Sequence, residues 1–155
     1  MQSVSLAVPH FEQEKTYSCV AACVRMVLKY YSLDFSEDEV RRRLITKPSG
    51  TPLFHVARVV SRWDLNLELG EFSFRELNSF IGSHIPPIIF LQTGSLDYWT
   101  GPDGSHAAVL TAVDAKANTV EVNDPFFTTP QQTSVHILEA ACFRAGNLAA
   151  VLRHR

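Results

Sequence analysis

At 155 residues, 46% hydrophobic and 19% charged, the chain has the size and balance of one globular domain that can bury a core without staples. A formal net charge of −2 and a single basic run, Arg41-Arg42-Arg43, provide no basic face for a polyanion, so nucleic acid is not an expected partner. No window approaches the ~18 consecutive apolar residues of a membrane span, and Met1 to Pro9 has neither the cationic start nor the apolar stretch of a secretory leader. A cytoplasmic setting with three free thiols is therefore expected.

The first predicted element is a helix from Cys19 to Tyr31. Val20, Val24, Val27, Leu28 and Tyr31 trace one face, Arg25 and Lys29 fall on another, and Ser32-Leu33-Asp34 ends it. "FSEDEV" opens a second helix that should run to about Ile45. Ser36 is its N-cap, Glu39 completes a capping box, and Phe35 and Val40 form the hydrophobic staple. "PSGTP" reads as a turn. Thr51 then caps a third helix with Pro52 at its first position and a buried stripe of Leu53, Val56, Ala57, Val60 and Trp63. A short strand, "LNLEL", leads to "FSFREL", where Ser73 and Glu76 repeat the capping box.

The second half changes character. "PPIIFLQT" reads as a buried strand, and Gly94 to Ser105 as a polar loop carrying Tyr98 and Trp99. "HAAVLTAVD" and "TVEVND" are strands joined by the turn "AKAN". "TSVHILEAACF" is a short helix and "LAAVLRH" a last strand. Helices followed by an antiparallel sheet define an α+β fold. A helical lobe to about residue 84 would pack on a sheet lobe over 85–155, with roughly four strands needed for a stable sheet.

Four residues stand out. Cys19 opens a helix, where the helix dipole and unpaired N–H groups favour the thiolate, the reactive form. His106 begins a strand after "TGPDGS", and Asp124 ends the next strand at "VNDP". Taken singly, the histidine reads as a structural hydrogen-bonder and the aspartate as an Asp-Pro turn. Taken together they lie side by side across an antiparallel hairpin, because the 18 residues between them match two strands of about eight and a tight turn. An acid there fixes the imidazole tautomer and leaves the other ring nitrogen to face a thiol. Alternation along "TVEVND" puts Asp124 and its neighbour Asn123 on opposite faces, so one of the two takes this place. Gln13, six residues before Cys19, carries an amide able to donate to an oxyanion beside the Cys19 N–H. Its ordinary reading is an exposed loop residue.

The remaining features are plainer. Cys23 lies one turn below Cys19 and reads as core, and Cys142 in "LEAACF" as a small buried hydrophobe. Cys19 and Cys23 share a helix face, but no second Cys or His pair stands at zinc spacing, so neither metal nor cofactor is expected. Tyr98 and Trp99 suit either a cleft wall or packing of their loop on the sheet. His10 suits the rim of the cleft.

The order Gln13, Cys19, His106, Asp124 resembles the C39-type, papain-like cysteine peptidases. These bacterial peptidases typically cut leader peptides after a double glycine, often as the N-terminal domain of an exporting ABC transporter. The resemblance rests on the glutamine before the nucleophile, on "CVAACVRM", on "GPDGSHAAVL" and on "NDP", and spans roughly residues 8 to 127. It implies a papain-like fold and a peptide or protein substrate. It also implies Cys19 as nucleophile, His106 as base and acid, Asp124 as orienting residue and Gln13 in the oxyanion hole. Ser18 and Val20 stand where the family usually has an acid and a glycine. With no transporter following, a stand-alone domain is expected. Papain itself uses an asparagine as orienter, which keeps Asn123 open. Two other functions fit the same residues: an acyltransferase whose acceptor is an amine, and a non-catalytic peptide-binding module. The oligomeric state is not legible.

Overall fold

The computed structural model describes residues 3–155. Its first helix, α1 (Cys19–Tyr30), buries Ala21, Ala22, Cys23, Val24, Met26, Val27 and Leu28, more than the one face its apolar spacing predicts. The small residues allow this: α1 lies between the sheet and α2 (Glu37–Leu44), and alanine lets both approach. Ser32, at φ 65°, turns the chain out of the helix.

Capping chemistry behaves unevenly along the next three helices. In α2 the Ser36 hydroxyl accepts the Glu39 N–H at 3.1 Å, as predicted. The Glu39 carboxylate does not reach back, because it pairs with Arg43 at 3.5 Å. The basic run is neutralised in this way throughout, with Arg41 on Glu37 and Arg42 on Asp38. In α3 (Leu53–Val60) the cap falls on Pro52 rather than Thr51, and the Thr51 hydroxyl instead shares a 2.7 Å hydrogen bond with Thr46. In α4 (Phe74–Gly82) Ser73 and Glu76 form the complete reciprocal box.

The strands are β1 (Val4–Ser5), β2 (Leu65–Glu71), β3 (Ile88–Gln92), β4 (Ser105–Asp114), β5 (Thr119–Asn123), β6 (Gln131–Ser134) and β7 (Leu148–His154), with α5 (Val135–Arg144) between the last two. They form one seven-stranded antiparallel sheet in the order β2-β7-β3-β4-β5-β6, with β1 added beside β4. This exceeds the roughly four strands expected. Neither β1 nor β6 was foreseen: one is two residues long and the other, "QQTS", is polar.

Both faces of the sheet are covered. Ala107, Val109, Ile88 and Leu152 pack with α1, α2 and α3, while Ala108, Leu110, Ile89 and Ala149 pack with α4 and α5. That is why "HAAVLTAVD" reads as an unbroken apolar run instead of an alternating one. The register places Val109 opposite Asn123, with a bulge at Thr111 farther along. His106 is in phase with Ala108 and Leu110, and Asp124 with Val122 and Val120, all of one core cluster. Their side chains therefore leave the hairpin on the same side.

Candidate active site

Cys19 sits at the first position of α1, partly exposed. The residue before it, Ser18, is buried and in the N-cap position, yet its hydroxyl does not cap the helix. It donates to the Lys15 carbonyl at 3.0 Å and accepts the Lys15 N–H at 3.0 Å. The first-turn N–H groups of α1 thus lack a side-chain partner at the place where the thiol emerges. Such a helix end favours negative charge on the sulfur and on any oxygen held beside it.

The imidazole of His106 bridges two groups. Its Nε2 lies 2.6 Å from Asp124 Oδ1, and the Cys19 side chain is near enough to the ring to favour its protonated form. With Nε2 committed to the carboxylate, Nδ1 is the nitrogen left for the sulfur. Burial by itself would lower the His106 pKa. The hydrogen bonds to Asp124 and Cys19, and the negative charge of each, outweigh it and raise the imidazole to about 9.

Asp124 is fully buried and three donors hold it. Oδ1 also accepts the Phe126 N–H at 3.0 Å, and Oδ2 accepts the Tyr98 hydroxyl at 2.8 Å. Burial, then the charge of Asp124, push the Tyr98 phenol well above its ordinary range, so it stays a donor. Asn123 turns the other way and donates to the Val8 carbonyl at 2.9 Å. It ties down the N-terminal segment and has no hydrogen bond to the imidazole among the described residues.

Trp99 lies 5.0 Å from the His106 ring, between centroids, and Phe126 lies 4.6 Å from Trp99. The loop aromatics therefore divide the two tasks considered for them, with Tyr98 packed inward and Trp99 walling the imidazole. His10 reaches the turn after Asp124, its Nε2 2.7 Å from the Phe127 carbonyl.

Gln13 lies on the loop before α1. Its backbone N–H donates to the Pro125 carbonyl at 2.7 Å, which joins this loop to the Asp124 turn. Its side-chain Nε2 donates to the Lys15 carbonyl at 2.8 Å, leaving the second amide proton free, and Oε1 is buried with no partner. Beside it is a shallow cavity of about 260 Å³ lined by Glu12, Gln13, Glu14, Lys15, Thr16 and Phe126. The larger cavity, about 390 Å³ between α4 and α5, shares no residue with this region.

The other thiols are placed differently. Cys23 is fully buried; that burial, with the charges of Cys19 and Asp124, pushes its thiol well up. Burial, then Glu139, push Cys142 up to about 12. Among the described residues no group of three or more His, Cys, Asp or Glu is disposed to hold a metal ion.

Two residues in this neighbourhood carry no signal in the sequence for what they do. Tyr98 was visible only as a loop aromatic. Glu37 was visible only as one acid of a capped helix start, yet it is fully buried and accepts the Glu14 N–H on the Gln13 loop. Both contacts are made between segments far apart in the chain.

Residues 7–141 match the model of the Peptidase C39 family, and the chain belongs to that family. Among curated proteins none matches. A solved double glycine motif protease from an AMS/PCAT transporter, in complex with its leader peptide, is 18% identical with a TM-score of 0.76, covering 100% of this chain and 99% of that one. A C39-like peptidase from Bacillus anthracis is 16% identical with a TM-score of 0.78, again covering 100% and 99%. The peptidase domain of Streptococcus ComA, a bifunctional ABC transporter of a quorum-sensing pathway, is 17% identical with a TM-score of 0.72, covering 94% and 98%. The fold is thus the α+β, papain-like arrangement of C39 peptidases, and the family is one of peptidases. No helix among the described residues is long and apolar enough to cross a membrane.

Proposed function

We propose that the protein is a cysteine peptidase, one papain-like domain in which Cys19, His106 and Asp124 cleave a peptide bond of a leader- or propeptide-bearing substrate. The observation that carries this reading is the His106 ring hydrogen-bonded to Asp124 at 2.6 Å, with the Cys19 side chain close enough to help raise its pKa. Cys19 and His106 form a thiolate–imidazolium pair, or exchange the proton as substrate binds. The thiolate attacks the peptide carbonyl carbon, and the oxygen becomes an anion facing the Cys19 N–H and the free amide proton of Gln13. As the C–N bond breaks, His106 gives its proton to the leaving amine and a thioester remains on Cys19. Neutral His106 then takes a proton from water, which attacks the thioester, releases the acid and restores the thiolate–imidazolium pair. A reducing compartment such as the cytoplasm keeps the three thiols free, as they are here.

Alkylation with iodoacetamide at about pH 6 tests the nucleophile, because only a thiolate stabilised by a neighbouring cation reacts quickly there. The expected adduct is on Cys19, with Cys23 and Cys142 protected by burial and by their raised pKa values. Labelling of Cys142 first, or of Cys19 no faster than free cysteine, defeats the proposal.

Tyr98→Phe probes the far side of the triad. It keeps the ring packing on Phe127 and removes only the donor to Asp124 Oδ2. The carboxylate then loses one of the three donors that fix its position and orients the imidazole less sharply, and kcat should fall about tenfold with KM little changed. Steady-state kinetics against wild type give the answer, and equal kcat values would leave Tyr98 a packing residue.

A further inference from the structure

The buried carboxylate of Glu37 takes no part in the reaction just described, yet it is wholly removed from solvent. A charge placed there must be matched on both oxygens. Oε1 accepts the backbone N–H of Glu14 at 3.0 Å, and Oε2 accepts Arg41 Nε at 2.9 Å. The Arg41 guanidinium then donates a second bond to the Glu14 side chain at 3.0 Å. Glu37 and Arg41 are on α2, whereas Glu14 follows Gln13 directly. One helix thus grips the loop through its backbone and its side chain together.

That grip is one of three. Gln13 N–H is held by Pro125 from the Asp124 turn, and Lys15 is held on both its N–H and its carbonyl by Ser18, next to Cys19. The short loop between Gln13 and Ser18 is therefore pinned from α2, from the strand-tip turn and from the start of α1. Gln13 itself is half-exposed, and among the described residues its side chain makes only the bond to Lys15. What sets the position of its free amide proton is the backbone beneath it.

We infer that Glu37, locked by Arg41, is a positioning residue for the oxyanion site: it fixes the Gln13 loop so that the amide donor faces the carbonyl oxygen of the bound acyl group. This rests on the peptidase reading above. Glu37 touches neither substrate nor the reacting atoms and acts through Glu14 and Gln13. A glutamine in its place retains the shape but presents an amide N–H₂ to either the Glu14 N–H or Arg41 Nε, so one of the two contacts is lost. The loop then relaxes, and a displacement of about 1 Å at a reacting group costs up to about 10²-fold in rate.

The test compares two reactions of the same sulfur. With iodoacetamide, the S–C bond forms as iodide leaves a saturated carbon, and no oxyanion arises. With p-nitrophenyl acetate, the thiolate adds to the ester carbonyl, passes through an oxyanion, forms the thioester and expels p-nitrophenolate. In Glu37→Gln the burst of p-nitrophenolate should slow about tenfold or more while alkylation of Cys19 stays within about twofold of wild type. Arg41→Lys keeps the charge but loses the fork that holds both acids, and should show the same split to a smaller degree. It decides the matter if Glu37→Gln does not fold. Both rates falling together, or neither changing, overturns the inference and leaves Glu37 a support of the fold. Slow alkylation of wild-type Cys19 is a separate outcome, since it removes the nucleophile itself.

Discussion

Replacing His106 with alanine is expected to lower peptide hydrolysis by about 10³-fold or more and to slow alkylation of Cys19 at neutral pH. Both losses have one origin. The imidazole lies near Cys19, and its pKa of about 9 keeps it protonated through neutrality. Without it, the thiolate is stabilised only by the helix end. The leaving amine also loses its proton donor, which alkylation does not need, so hydrolysis should suffer more than labelling. Asp124 keeps two other donors, Tyr98 and the Phe126 N–H, so the variant should stay folded. Stopped-flow alkylation beside a peptide-cleavage assay makes the measurement. Unchanged reactivity of Cys19 would take His106 out of the site.

Asp124→Asn should cost about 10²-fold in hydrolysis, less than loss of His106, because the amide oxygen can still accept from Nε2 and hold the ring while the negative charge is gone. Its clearer mark is on pH dependence. In the wild type, burial lowers the imidazole pKa, and the bonds and charges of Asp124 and Cys19 raise it to about 9. Removing one charge shifts the balance toward burial, so the alkaline limb of the alkylation profile should move to lower pH. Stability follows the same sign. A histidine whose folded pKa exceeds its unfolded value of about 6.5 contributes its full stabilisation below that pH and loses it as pH rises through the folded value. In the thiolate–imidazolium pair the histidine's proton comes from the thiol, so the sign is read in Cys19→Ala, where no proton is borrowed. There, stability in urea should decline as pH rises above about 6.5, and more shallowly when Asp124→Asn is added; an identical slope would exclude the carboxylate as its cause.

What could be read in advance was what short-range rules govern. The Ser36 and Ser73 caps, the strand "HAAVLTAVD" and the hairpin that follows depend on neighbours within a few residues or on strict alternation. The meeting of His106 with Asp124 across 18 residues came from the same arithmetic, since the length of a hairpin fixes which residues face each other. Reading failed where a contact is decided by distant chain. Thr51 has the right chemistry for a cap but is drawn to Thr46. β6 has no apolar pattern and exists because β5 offers it an edge. Nothing in "SEDEV" distinguishes Glu37 from Asp38, yet one is buried against the Gln13 loop and the other lies on the surface. Gln13 stood out by its spacing from Cys19, while the turn of its amide toward Lys15 depends on a loop geometry that no spacing rule describes.

The most C-terminal of the seven strands is not at the rim of the sheet. β7 lies between β2 and β3, and it is β2's partner over that strand's whole length, from Leu65 with His154 to Glu71 with Leu148. Until residues 148–154 have emerged, β2 has no place to dock, and the layer beneath α1 stays open on that flank. A growing polypeptide therefore cannot complete the sheet beneath α1 until synthesis has passed this strand.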